Sequence, residues 1–225
     1  MSTATSEIFD AVAHLPASGV MALHDIPWDE YEHLLAELAE NDNLPVRKKV
    51  RISYCAGRLN VMTVSRKHEI FKDMVYSLVR LLSWELSIPV ETCGSATMKL
   101  DVMERAAEPD TAFYVQNAAK VIGKNKIDLL VDPPPDVVVE IEVSHADPEK
   151  FELYEGLRVP EFWRYDERRM QFFQLTPAGY VESSTSLAFP MLTSAAMTNA
   201  LEQSKTQGQD AALRSFHEWL KQLPS

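Results

Sequence analysis

The sequence predicts an α/β protein built on a mixed central β-sheet flanked by helices. Three observations predict it. Val137 to Val143 is an apolar, β-branched run of strand length. Arg66 to about Leu86 carries a long apolar stripe at helical spacing. The order helix, strands, strand, helix, strands mixes hairpin connections with a helical crossover, as a mixed sheet requires.

Taken in order, residues 1–25 lack periodicity and read as a lead-in. Pro27 opens a helix over WDEYEHLLAELAEN, with acids in its first turn and Tyr31, Leu34, Leu35 and Leu38 on one side. Asn41 to Pro45 ends it. Lys49 to Cys55 and Arg58 to Val64, joined at Ala56-Gly57, predict a β-hairpin. Ser65 is the N-cap of the long helix, whose stripe is Ile70, Met74, Val75, Leu78, Leu81 and Leu82, and Pro89 closes it. Short strands follow at Val90 to Cys93, Thr97 to Val102 and Thr111 to Val115, then a basic loop over Gln116 to Lys126.

Three prolines at Pro133 to Pro135 precede the central strand. Asp147 as N-cap with Pro148 at the first helical position starts the next helix. Glu161 to Asp166, Met170 to Leu175 and Tyr180 to Ser183 form a meander that turns at Pro177 to Gly179. Helical patterns around Ser194 to Gln203 and Asp210 to Leu223 complete the chain. No repeat or low-complexity linker divides it. The expected organisation is a lead-in over 1–25, one domain over 26–190 and a helical extension over 191–225.

With 46% hydrophobic and 24% charged residues, the composition is that of a soluble globular protein. No apolar run reaches membrane-spanning length and the N-terminus has no secretory pattern, so a cytoplasmic location is expected. Cys55 and Cys93 match no zinc or redox spacing and read as free thiols. A net charge of −11 argues against coating nucleic acid through bulk electrostatics. It leaves room for a nuclease, whose acidic site brings its own cation. Local basic groups stand at Arg47 to Lys49 with Arg51, at Arg66-Lys67 and between Lys120 and Lys126; taken singly, each reads as solvated charge.

The chemistry concentrates on the central strand. Side chains alternate between its faces, so Val137, Val139, Ile141 and Val143 share one and Val138, Glu140, Glu142 and Ser144 the other. Two neighbouring carboxylates on an apolar strand are costly to bury without a cation between them. A divalent ion is one answer and a lysine or arginine the other. Asp110 at a strand start, Glu140, Glu142 and Lys150 in the following helix form the candidate constellation. Hard cations such as Mg²⁺ or Mn²⁺ take oxygen ligands from a few carboxylates and leave positions for water and phosphate. A lysine beside them orients a water or stabilises developing charge. The plainer alternative is an exposed strand face with Lys150 as an ion-pair partner. His68 and Tyr154 are accessory candidates, with structural roles as their alternatives; His145 reads as loop. No glycine-rich phosphate loop or Ser-His-Asp context appears.

Glu108-Pro109-Asp110 followed by DVVVEIEVSHADPEKFELYEGLRVPEFWRYD resembles the Uma-type endonucleases of the PD-(D/E)XK, restriction-endonuclease-like superfamily. The matching elements are Pro109-Asp110, Glu140, Lys150 with Tyr154, and Val159-Pro160-Glu161-Phe162-Trp163 ending in Asp166. The resemblance covers about residues 25–190. It implies a restriction-endonuclease-like fold and Mg²⁺-dependent (or Mn²⁺-dependent) hydrolysis of phosphodiester bonds in DNA. Asp110, Glu140 and Glu142 would bind the metal. Where the superfamily places its lysine, two residues after the acid, this chain has Glu142; Lys150 would supply the amine from the next helix. The implied partner is DNA, with a homodimer expected of a double-strand cutter. Two other readings stay open: a catalytically inactive nuclease-fold module that binds nucleic acid or a protein, and a hydrolase of small phosphoesters.

Overall fold

The computed structural model describes residues 8, 10–40, 50–94, 97–143 and 147–223. Two sheets stand side by side, where the sequence implies one. The first is antiparallel, with order β1-β3-β2-β6-β5. Its strands are β1 (Val20–Leu23), β2 (Val50–Cys55), β3 (Arg58–Thr63), β5 (Met98–Leu100) and β6 (Arg105–Ala107). The second has order β11-β10-β9-β8-β7-β4. It comprises β4 (Glu91–Thr92), β7 (Thr111–Tyr114), β8 (Val137–Ile141), β9 (Glu161–Tyr165), β10 (Met170–Thr176) and β11 (Gly179–Ser183). Within it only β8 and β9 run parallel, joined through a helix; every other neighbour is antiparallel. This is the mixed sheet the sequence predicts.

The helices sit where periodicity and caps put them. Helix α1 (Trp28–Glu40) lays Tyr31, Leu34 and Leu38 against Ile52, Tyr54, Leu59 and Val61 of the first sheet. Helix α2 (Arg66–Leu86) starts where the Ser65 hydroxyl accepts from His68 N, and ends at Ser87 in the left-handed region. Its stripe, Phe71, Met74, Val75, Leu78 and Leu82, covers Val137, Val139 and Ile141 of β8. A one-turn helix, α3 (Ala118–Val121), lies inside the segment expected to be loop. Helix α4 (Glu149–Gly156) crosses from β8 to β9; it starts one residue later than expected, with Pro148 rather than Asp147 at the cap position, and the Asp147 carboxylate accepts from Glu149 N just before it. Helices α5 (Ser194–Gln207) and α6 (Gln209–Lys221) bury Met197, Leu201, Phe216 and Leu220 in the same core as α2 and β8.

Several short elements differ from expectation. Residues 20–23, read as lead-in, form an edge strand paired with β3, because a four-residue strand gives too little alternation to register. The Thr97 to Val102 segment is strand only over Met98–Leu100; it turns through Asp101–Met103 and returns as β6, a hairpin whose Glu104 has positive φ. β8 stops at Ile141, although Glu142 N still donates to Tyr165 O at 2.8 Å and continues the parallel ladder. The ends expected at 41–45, the basic run at 47–49, and Ser144 and His145 lie outside the described residues.

Candidate active site

Asp110 immediately precedes β7, and the antiparallel register of β7 on β8 places it beside Glu140 and Ile141. Its Oδ2 accepts from Ile141 N at 2.7 Å and lies 2.8 Å from His68 Nε2. His68 is positioned by the Ser65 cap, three residues into α2, so a sequence-level helix start fixes a site residue. Burial alone would raise the Asp110 carboxyl, but the His68 contact, the Lys150 charge and the Ile141 amide hold it below its ordinary value.

Glu140 on β8 and Glu142, one residue past its end where the ladder to Tyr165 continues, face the same way, as alternation requires. Lys150 and Tyr154 are one helical turn apart on α4 and both reach Glu140. Lys150 Nζ lies 2.7 Å from Glu140 Oε2, and the Tyr154 hydroxyl donates to Oε1. Glu140 is 2% exposed, and burial lifts its carboxyl to about 8; Lys150 opposes this shift and Asp110 adds to it. Burial would lower the Lys150 ammonium, but Glu140, Asp110 and Glu142 outweigh it and hold the lysine charged. Burial likewise keeps the Tyr154 hydroxyl neutral, with Glu140 acting the same way. Glu142 is raised by burial against the attraction of Lys150, the Asp147 amide and Arg164. Its Oε1 accepts from Asp147 N at 3.3 Å.

These groups open into a cavity of about 310 Å³. His68, Glu140, Glu142, Lys150 and Tyr154 line one side of it, and residues of the first sheet line the other. The structure thus brings together His68, Asp110, Glu140, Glu142, Lys150 and Tyr154; His145 lies outside the described residues. The exposed-strand alternative does not hold, since Glu140 and Glu142 are both buried.

Among the described residues, no three His, Cys, Asp or Glu side chains form a group that could hold a metal ion. Fewer protein ligands suffice for Mg²⁺, which keeps several waters and takes one or two carboxylates. The donor set fits such an ion. Asp110 Oδ1 and Glu142 Oε2 are buried and meet no hydrogen-bond donor, which is costly for carboxylates unless a cation is near.

One neighbour escaped the sequence reading. Arg164 is paired in register with Glu140 across β8 and β9, and its Nε lies 3.9 Å from Glu142 Oε2. Gln171 Oε1 accepts from the guanidinium at 2.7 Å, and the Phe151 and Phe173 rings lie beneath it. Its only sequence signal was a basic residue among the aromatic positions of the strand EFWRY. Three of the basic groups in the local basic runs are paired: Arg51 faces Glu69, Lys67 pairs with Glu167 and Lys124 with Asp132.

A family model described as "Uma2: Putative restriction endonuclease" matches residues 28–204. Among solved structures, the chain is similar to a "putative nuclease belonging to DUF820" from Anabaena variabilis. That match has a TM-score of 0.50 and 12% identity, and covers 87% of this chain and 99% of the other. It supports the restriction-endonuclease-like fold. No curated protein matches. No helix among the described residues is long and apolar enough to cross a membrane.

Proposed function

This chain belongs to the Uma2 family of restriction-endonuclease-like proteins, and from that premise we propose that it is a metal-dependent endonuclease hydrolysing phosphodiester bonds in DNA. One observation carries the reading: Glu140, Glu142 and Lys150 line a single cavity, Asp110 stands behind it against His68 and Ile141, and one buried oxygen each of Asp110 and Glu142 lacks a donor.

Asp110 and Glu140 would hold Mg²⁺ or Mn²⁺, with Glu142 at the third position. When bound, such an ion acidifies a coordinated water and neutralises charge on the phosphodiester. The protein's own groups do the rest. Lys150 keeps its proton and places a positive charge beside the carboxylates, where it stabilises charge developing on a phosphate oxygen. Tyr154 holds Glu140 by one oxygen, and His68 with Ile141 N holds Asp110 by Oδ2. Arg164 faces Glu142 and limits the repulsion between the two glutamates.

The departure from the superfamily pattern favours a second reading. Lys150 already contacts Glu140 at 2.7 Å, as it would in a catalytically inactive module that binds nucleic acid or a protein. Nicking of supercoiled plasmid with Mg²⁺, Mn²⁺ or EDTA separates the two. Metal-dependent nicking that disappears in Lys150→Ala, Asp110→Ala and Glu140→Ala supports the enzyme. Wild-type protein that binds a divalent ion by calorimetry and nicks nothing supports the module. Nicking unchanged in the variants refutes the residue roles.

A further inference from the structure

The wall facing the carboxylates is built from the first sheet, and its composition does not suit a phosphate backbone. Ser18, Val20, Ala22 and His24 alternate along the edge that becomes β1, so one face of that strand looks into the cavity. The register extends this face across three strands. Val20 pairs with Met62 and Met62 with Arg51; Ala22 pairs with Asn60 and Asn60 with Ser53. Val20, Ala22 and Met62 thus form an apolar floor, with Val20 42% exposed, and the Asn60 amide sits at its edge.

The charges around the opening point the same way. Among the described residues, five acids line the cavity, Glu108, Glu140, Glu142, Asp147 and Glu149, against the two permanent cations Arg51 and Lys150. Both cations already face a carboxylate, Arg51 at 3.7 Å from Glu69 and Lys150 at 2.7 Å from Glu140. A duplex carries one phosphate charge per about 1.7 Å of its axis and binds through rows of lysine and arginine. It also keeps its bases stacked and its apolar faces hidden. Neither feature matches an acid-lined recess with an aliphatic floor.

We infer that the cavity receives an unpaired nucleotide of DNA, its base lying on the Val20, Ala22 and Met62 floor and its phosphate turned to the carboxylates, in preference to an intact duplex. The inference rests on the nuclease reading for the phosphate end and on the floor for the base end. The Asn60 amide already donates to Glu149 Oε2 at 3.3 Å, so its carbonyl oxygen would meet the edge of the base, and one or two phosphates at most would enter the acidic recess.

Binding tests the inference and cleavage tests the reading beneath it. Fluorescence anisotropy with Ca²⁺ present compares a labelled single-stranded oligonucleotide with the same strand annealed to its complement. The single strand is expected to bind about tenfold tighter, the low end of what a base gains on an aromatic platform, because this floor is aliphatic. Ala22→Trp, at an exposed edge-strand position, fills the recess and should remove that preference; Met62→Ala, which thins the floor, should reduce it. Thermal melts show whether each variant is folded. Duplex binding equal to or tighter than the single strand overturns the inference, as does binding of neither, or a preference untouched in both folded variants. If the preference holds while Mg²⁺ and Mn²⁺ yield no cleavage of either form, the inference stands and the endonuclease reading falls.

Discussion

Removing the Tyr154 hydroxyl tests how the site manages a buried carboxyl. Tyr154→Phe keeps the ring, which lies 5.3 Å from the Phe162 ring centroid, so no cavity opens and the change is confined to one hydrogen bond. That bond goes to Glu140, whose carboxyl burial lifts to about 8. Near pH 6 Glu140 holds a proton, and a neutral hydrogen bond is worth about 1 kcal/mol. Near pH 9 it is ionised, and a bond to a charged group is worth about 2 to 3 kcal/mol. For a chain of this size, 1 kcal/mol moves Tm by roughly 2–4 °C. Melting of the metal-free variant should therefore fall by a few degrees at pH 6 and by about twice as much at pH 9. The control is Tyr180→Phe, whose hydroxyl donates to the Val159 carbonyl at 2.7 Å, an acceptor that does not titrate. Its loss should be the same at both pH values. Equal losses for Tyr154→Phe at pH 6 and pH 9 would refute the account of Glu140, and so would a Tyr180 variant with the same pH dependence.

Two further outcomes follow from the same geometry. Because burial lifts the Glu140 carboxyl to about 8, a divalent ion must displace its proton below that pH. Apparent Mn²⁺ affinity should then fall up to tenfold per pH unit from pH 8 to pH 6, and calorimetry in buffers of different ionisation heat should count about one proton released. Affinity independent of pH over that window contradicts the assignment. The sign for stability is fixed as well. A folded-state pKa above the unfolded value of about 4.3 means that this carboxyl favours folding below that pH, a contribution lost as pH rises through about 8. The other outcome concerns Glu161, fully buried away from the cavity, which accepts from Ser186 Oγ and the amides of Leu187 and Ala188. Glu161→Ala orphans these three groups and should cost about 3 kcal/mol or more, a Tm loss of roughly 6–12 °C. Any nicking activity should persist at low temperature. An unchanged melt would show that water serves these donors equally well.

Much of the fold was legible because it rests on local rules. The Ser65 cap, the Ala56-Gly57 turn and the stripe of α2 are each set by a few adjacent residues. The strand of Val137 to Ile141 announced both its composition and its two faces. The edge strand at Val20–Leu23 and the short hairpin of β5 and β6 carried too few residues for periodicity to register. They became strands because β2 and β3 offered them unpaired backbone. The C-terminal helices read as an extension, yet Met197, Leu201, Phe216 and Leu220 complete the core beneath α2, a fact of packing that no window of sequence contains.

By itself the sequence determined which face of β8 carries Glu140 and Glu142, and that Lys150 and Tyr154 share a helix face, since strand and helix periods are properties of the backbone. Only the tertiary structure decided that Asp110 meets His68, that Arg164 stands by Glu142, and that an apolar floor from a second sheet faces the carboxylates. Those contacts join residues tens of positions apart, and their energies come from burial and from charges brought together by folding. Neither burial nor proximity exists until the chain has packed.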